Sequence, residues 1–108
     1  MKTVIVINQE QMGTGDRTLG QKILGTFLRK TGALEGLSAI VFYNSGVKLV
    51  TSGSPVLAEL KLLHDSGVDL LPCGTCLDHF ALLPEIVPAS NMDAIVGELA
   101  GADKVITL

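Results

Sequence analysis

VDLLPCGTCLDHF, residues 68–80, carries an apolar run, a glycine-containing turn and the start of a helix in thirteen residues. Val68–Leu71 has the length and branched apolar character of a short buried strand. Thr75-Cys76-Leu77-Asp78 has the form [ST]-x-x-[DE], which predicts a helix N-terminus with Thr75 as the N-cap, Cys76 as the first helical residue and Asp78 as the third. Gly74 lets the backbone turn tightly between the two. A strand passing directly into a helix is the repeating step of an α/β fold. Here that step holds the only two cysteines of the chain, Cys73 and Cys76.

The same alternation extends outward. Apolar runs recur at Thr3–Ile7, Ser38–Tyr43, Glu85–Val87 and Lys104–Thr107, the third of these bracketed by Pro84 and Pro88. Helical patterns lie between them. Asp16–Thr31 carries Leu19, Ile23, Leu24, Phe27 and Leu28 on one stripe and stops at Gly32. Pro55–Ser66 follows an expected N-cap at Ser54 and stops at Gly67. Met92–Ala100, with the stripe Met92, Ile95, Val96 and Leu99, stops at Gly101. The order predicts a three-layer α/β/α sandwich around a five-stranded parallel sheet, with right-handed crossovers.

The 108 residues suit a single domain, 1–108. With 47% hydrophobic residues the chain has ample material for a core without a disulfide framework or a structural metal. A mean hydropathy of +0.47 exceeds what a small monomer needs, which predicts a homo-oligomer. Net charge of −3 and the lack of any Lys/Arg cluster argue against nucleic acid as a partner. No stretch reaches the ~18 apolar residues of a membrane span. The opening MKTVIVINQ reads as a first strand, because its apolar run stops at Asn8 and no small-residue cleavage site follows. The expected location is therefore cytoplasmic, where thiols stay reduced and a close cysteine pair points to catalysis or metal binding.

Ligands of open parallel sheets bind at the carboxyl ends of the strands. Asn8, Gln9, Glu10, Gln11 and Gly13-Thr14-Gly15 follow the first run, and Asn44, Ser45, Gly46 and Lys48 follow the second. Cys73-Gly74-Thr75-Cys76 follows the third and Ser90-Asn91 the fourth. Each residue alone also reads as an ordinary turn or cap. The glycines at 13, 15 and 20 fit neither GxGxxG nor GxxxxGK[ST], so they read as a βα loop before the first helix.

A thiol at a helix start faces unpaired N–H groups and the positive end of the dipole, so moderate activation of Cys76 is expected, with Asp78 opposing it. Cys76 would then accept a sulfane sulfur as a persulfide and pass it on, or the pair would cycle through a disulfide. No metal site is expected: zinc needs four ligands, and one CxxC with His79 nearby supplies too few. His79 reads as a surface residue or a base for the thiol, and His64 as a charge near a helix end. Two small buried hydrophobes is the plainer reading of the cysteines. A thioredoxin-type motif also has the form PCxxC, but only 32 residues follow Cys76.

The segments VIVINQEQMGTGDRTLG, VFYNSGVKL, LPCGTCLDHF and SNMDAIVGELAGADKVITL together resemble the DsrE-like sulfur-relay proteins over nearly the whole chain. They look most like the C-terminal DsrE-like half of the YedF-type sulfurtransferase-like selenium metabolism proteins. The resemblance implies a five-stranded parallel α/β/α fold, oligomeric assembly and a possible sulfurtransferase activity in which a cysteine carries persulfide. It makes Cys73 and Cys76 the persulfide candidates, and the helix-start argument favours Cys76, with Cys73 as resolving or second acceptor thiol. Asn8, Asn44, Ser45, Lys48, Thr75 and Asn91 are expected to line the site. YedF-type proteins pair this domain with a TusA-like one, so a TusA-like carrier or another persulfide donor or acceptor is the expected partner; no cofactor is expected. Where many relatives have a small-residue-Arg-Gly segment after the cysteine, this chain has His79-Phe80-Ala81. The alternatives are a non-enzymatic ligand- or partner-binding module of the same fold, and a CxxC dithiol redox protein.

Overall fold

Strand β1, Thr3–Ile7, is buried at all five positions. Successive strand residues point to opposite faces, so both faces of the sheet are covered at its centre. The structure, a computed structural model, describes residues 1–108. Beside β1 lies β2, Leu37–Phe42, and beyond it β3, Asp69–Pro72. On the other side of β1 lies β4, Lys104–Thr107, an edge strand with three of its four residues exposed. All pairings are parallel and the order is β3-β2-β1-β4.

The sheet thus has four strands rather than the expected five. Glu85–Val87 does not join it. Pro84 and Pro88 lack the N–H groups a ladder needs, Ile86 turns to a φ of +65°, and the Val87 N–H folds back to the Glu85 carbonyl at 2.6 Å. A single parallel bridge, Cys73–Ser90, remains where a fifth strand would run along β3. Pro72 fits inside β3 because the Cys73 N–H donates to Phe42 of β2, while the Pro72 carbonyl faces outward and accepts from Ser90. By that alternation the missing Pro72 N–H also lies on the outer side, where β2 does not need it.

Four helices complete the layers. Helix α1, Arg17–Arg29, is capped by the Asp16 carboxylate, which accepts the Leu19 N–H at 2.7 Å. It buries Leu24 and Leu28, while Leu19 and Ile23 of the predicted stripe stay 56% and 41% exposed. Helix α2 covers Leu57–Asp65, starting later than expected because the Ser54 hydroxyl accepts the Val56 N–H and spends that cap on a turn. A salt bridge, Arg29–Glu59 at 2.7 Å, joins α1 to α2. Helix α3 is short, Gly74–His79, and α4 is Met92–Gly101, capped by Asn91 through the Ala94 N–H at 2.8 Å. No helix is long and apolar enough to cross a membrane.

Candidate functional site

The site forms where β2 and β3 end side by side. After β2 the chain enters a 3-10 helix, Asn44–Val50, and after β3 it enters α3. Asn44 begins its helix with a φ of +53°, a left-handed conformation that Asn tolerates better than most residues. The turn is held from behind by Gly46, where an added Cβ would overlap the carbonyl oxygen of Ile7 at the end of β1. The absence of a side chain at Gly46 therefore sets how closely this turn approaches the sheet.

The close approach aims the Asn44 backbone N–H at α3. It donates to the Cys76 Sγ at 3.1 Å. Asn44 thus reaches the sulfur through its backbone, while the sequence had pointed to its side chain. Thr75, His79 and Phe80 complete a cleft of about 320 Å³ around Cys76 and Asn44. Cys76 is half-buried at its wall. Cys73 is only 3% exposed and belongs to the hydrophobic core.

Helix α3 begins two residues earlier than its capping pattern predicts. Cys73 is the N-cap, and no side chain caps the helix. The Gly74 N–H instead donates to the Ser90 carbonyl at 3.0 Å, because the strand-end bridge to Ser90 captures it first. Cys76 therefore falls at the third helical position. The expected activation of its thiol is not found. Burial pushes the Cys76 thiol above its ordinary pKa, the Asn44 N–H pulls it the other way, and Cys73 adds to the rise through a side-chain hydrogen bond and through charge. The two thiols thus sense each other, and ionising one disfavours ionising the second.

A second pocket adjoins the first across Phe80. Phe80 follows Cys76 by four residues, so the two share one face of the helical turn. Lys48, one turn beyond Asn44, places its Nζ 4.6 Å from the Phe80 ring centroid. The same Nζ lies 3.9 Å from Glu10, and Glu10 also pairs with Arg17 at 3.2 Å. Glu10, Arg17, Lys48 and Phe80, with hydroxyl side chains of the segment 51–54, line a pocket of about 380 Å³.

Of the residues picked from the sequence, Cys76, Thr75 and Asn44 share the cleft, and Lys48 stands one turn away. Cys73 lies behind the cleft rather than in its wall. Asn8 and Ser45, both half-buried, lie at neighbouring strand ends outside the cleft lining, and Asn91 serves as the α4 cap. Sequence reasoning missed Phe80 and Arg17, and placed Glu10 at the ligand-binding edge without counting it in the site lining; the i, i+4 spacing of Cys76 and Phe80 was the available signal for the first. The Gly13–Gly15 loop is closed by Gln11, whose Nε2 donates to the carbonyls of Gly13 at 3.0 Å and Gly15 at 3.3 Å. No three His, Cys, Asp or Glu side chains come together as a metal-ligand set.

Residues 1–108 match the DsrE/DsrF-like family. The chain belongs to that family. Its fold is similar to the YchN protein from E. coli, at 20% identity and a TM-score of 0.71, covering 99% of this chain and 98% of that one. It is also similar to MTH1491 from Methanobacterium thermoautotrophicum, at 21% identity and a TM-score of 0.69, with the same coverage of 99% and 98%. BT1422 from Bacteroides thetaiotaomicron matches at 16% identity and a TM-score of 0.68, over 99% of this chain and 95% of that one. MTH1491 and BT1422 are both described as proteins of unknown function. No curated protein matches the sequence.

Proposed function

We propose that this DsrE-like protein is a sulfur-relay protein that carries sulfane sulfur as a persulfide on Cys76. The observation that supports it best is the Cys76 sulfur at the wall of an open cleft, accepting the Asn44 N–H at 3.1 Å. A sulfur that grows by one atom needs room on one side and a fixed hydrogen bond on the other. The Cys76 thiolate attacks the outer sulfur of a donor persulfide R–S–SH. A new S–S bond forms at Cys76, the donor S–S bond breaks, its electron pair leaves on R–S⁻, and the proton stays on the terminal sulfur. A partner thiolate reverses the exchange. A TusA-like carrier, as in YedF-type proteins, fits the second thiol in a reducing cytoplasm. The exposed Leu19, Ile23, Met92, Val96 and Val105 support assembly into a homo-oligomer.

Incubation with a persulfide donor followed by intact-mass measurement tests the assignment. Wild type and Cys73→Ser should gain about 32 Da, one sulfur atom, and Cys76→Ser should not. A full adduct on Cys76→Ser removes Cys76 from the role.

The influence of Cys73 on the ionisation of Cys76 favours a second reading, a CxxC dithiol that cycles through a disulfide. It predicts that a mild oxidant takes two electrons and two protons from the pair, forming the Cys73–Cys76 disulfide and lowering the intact mass by about 2 Da; persistence of two free thiols after oxidant treatment would falsify it. A passive binding module, favoured by the upward shift of the Cys76 thiol, predicts no stable adduct with any sulfur donor.

A further inference from the structure

The polar pocket across Phe80 is unused by the sulfur chemistry just described. It contains two cationic side chains, Arg17 and Lys48, against one carboxylate, Glu10. The protein as a whole carries a net charge of −3, so this local excess of positive charge runs against the average. The Lys48–Glu10 contact is long, at 3.9 Å, and Lys48 is 38% exposed. Its ammonium is thus only loosely engaged by its neighbours. The pocket wall is otherwise made of hydroxyl and backbone groups from residues 51–54 and of the Phe80 ring.

Phe80 is also a wall of the Cys76 cleft. Cys76 and Phe80 are one helical turn apart, so the cationic pocket begins on the order of 5–10 Å from the sulfur. A molecule of a few residues' length can lie over the edge of Phe80 with its sulfur at Cys76 and an anionic end at Lys48 and Arg17.

We infer that the pocket of Glu10, Arg17 and Lys48 is a binding subsite for the anionic end of a low-molecular-weight thiol, and that Cys76 exchanges sulfane sulfur with the persulfide of such a thiol. This rests on the reading of Cys76 as the sulfur carrier and names the substrate class it serves. The exchange is the balanced one already given, with R a small group that bears carboxylates. The Cys76 proton passes to solvent before attack, and R–S⁻ leaves with the electron pair of the broken bond. Glu10 has a defined part: it holds Arg17 at 3.2 Å and keeps Lys48 nearby, so an incoming carboxylate competes for cations already in place.

Two measurements test it. In the first, adduct formation on the wild-type protein is followed with glutathione persulfide and with the persulfide of glutathione diethyl ester, which lacks both carboxylates. The carboxylate donor should be used about three- to tenfold more efficiently, the range that one or two exposed ion pairs supply. The preference should vanish in the double variant Lys48→Met/Arg17→Gln and in high salt. Equal use of both donors by wild type, or an unchanged preference in the double variant, overturns the inference. In the second, reduced glutathione is titrated into Cys76→Ser and amide shifts around residues 48–54 and 80 are followed by NMR. Saturable shifts that disappear on adding Lys48→Met/Arg17→Gln are expected, and no shifts count against the subsite. Because the second measurement needs no sulfur transfer, it decides the subsite even if no donor ever modifies Cys76. Conversely, adduct formation that is indifferent to donor charge leaves Cys76 as the carrier and removes the subsite.

Discussion

The loop after β1 and the turn after β2 leave adjacent strands at the same edge of the sheet, both with glycine inside, yet they are held in different ways. Gly13, in the first, has a φ of +82° and open space where a Cβ would go. Gly46, in the second, has ordinary backbone angles and the Ile7 carbonyl where its Cβ would go. The first glycine serves a local bend. The second serves contact with another strand, and through that contact it fixes the Asn44 N–H against the Cys76 sulfur. The hydrogen bond at the Cys76 sulfur therefore depends on packing between strand ends more than on the bend of any one loop.

The largest expected effect comes from breaking that packing. Gly46→Ala should cost about 2–3 kcal/mol, because backbone must move to admit the methyl group. For a domain of this size that lowers Tm by roughly 10 °C or more. Gly13→Ala, with strain but no clash, should cost only about 1 kcal/mol. Thermal unfolding of the two variants side by side checks the contrast, and equal losses would dissolve it. Next comes Asn44. Its backbone, not its side chain, meets the sulfur, so Asn44→Gly should keep both stability and adduct formation. Asn44→Val forces a β-branched residue to a positive φ and should cost about 1–2 kcal/mol. A loss of adduct formation in a well-folded Asn44→Gly would show that the side chain matters after all.

The smallest effect concerns reactivity. Cys73→Ala removes the neighbour that adds to the rise of the Cys76 thiol, so the pH midpoint of Cys76 alkylation should move down. An upward or null shift would mean that the two sulfurs do not communicate. The sign also bears on stability. The folded protein holds the Cys76 proton more tightly than the unfolded chain does. The stabilisation it brings is present below the ordinary thiol pKa and is lost as pH rises through the higher folded value. Cys76→Ser should flatten that alkaline decline.

Much of this architecture was legible because its signals are local. β1 and β4 appear at the predicted boundaries, since each is an uninterrupted branched apolar run next to a turn. Asp16 and Asn91 cap helices through their own side chains, which is also chemistry readable from neighbours. The misses share a cause. The Glu85–Val87 run looked apolar enough for a strand, but a ladder needs N–H groups that its flanking prolines lack. Thr75 looked like a cap, but Ser90, fifteen residues on, claimed the first amide of the helix. The site itself was half legible. Cysteine spacing marked the sulfur, whereas the Asn44 amide, the Phe80 wall and the Glu10–Arg17 pair depend on which strand ends are neighbours.

Strand β1 is the second strand in from the edge, and the strand that covers its outer side, β4, follows it by about a hundred residues. Thr3 pairs with Lys104, Val4 with Val105, Ile5 with Ile106 and Val6 with Thr107. During synthesis β1 and β2 emerge well before β4, so the outer edge of β1 stays bare until Lys104–Thr107 has left the ribosome. A nascent chain stalled before Lys104 would present Val4-Ile5-Val6-Ile7 to any other chain with a free strand, and it is at this stage, rather than in the finished molecule, that the protein is most open to mispairing.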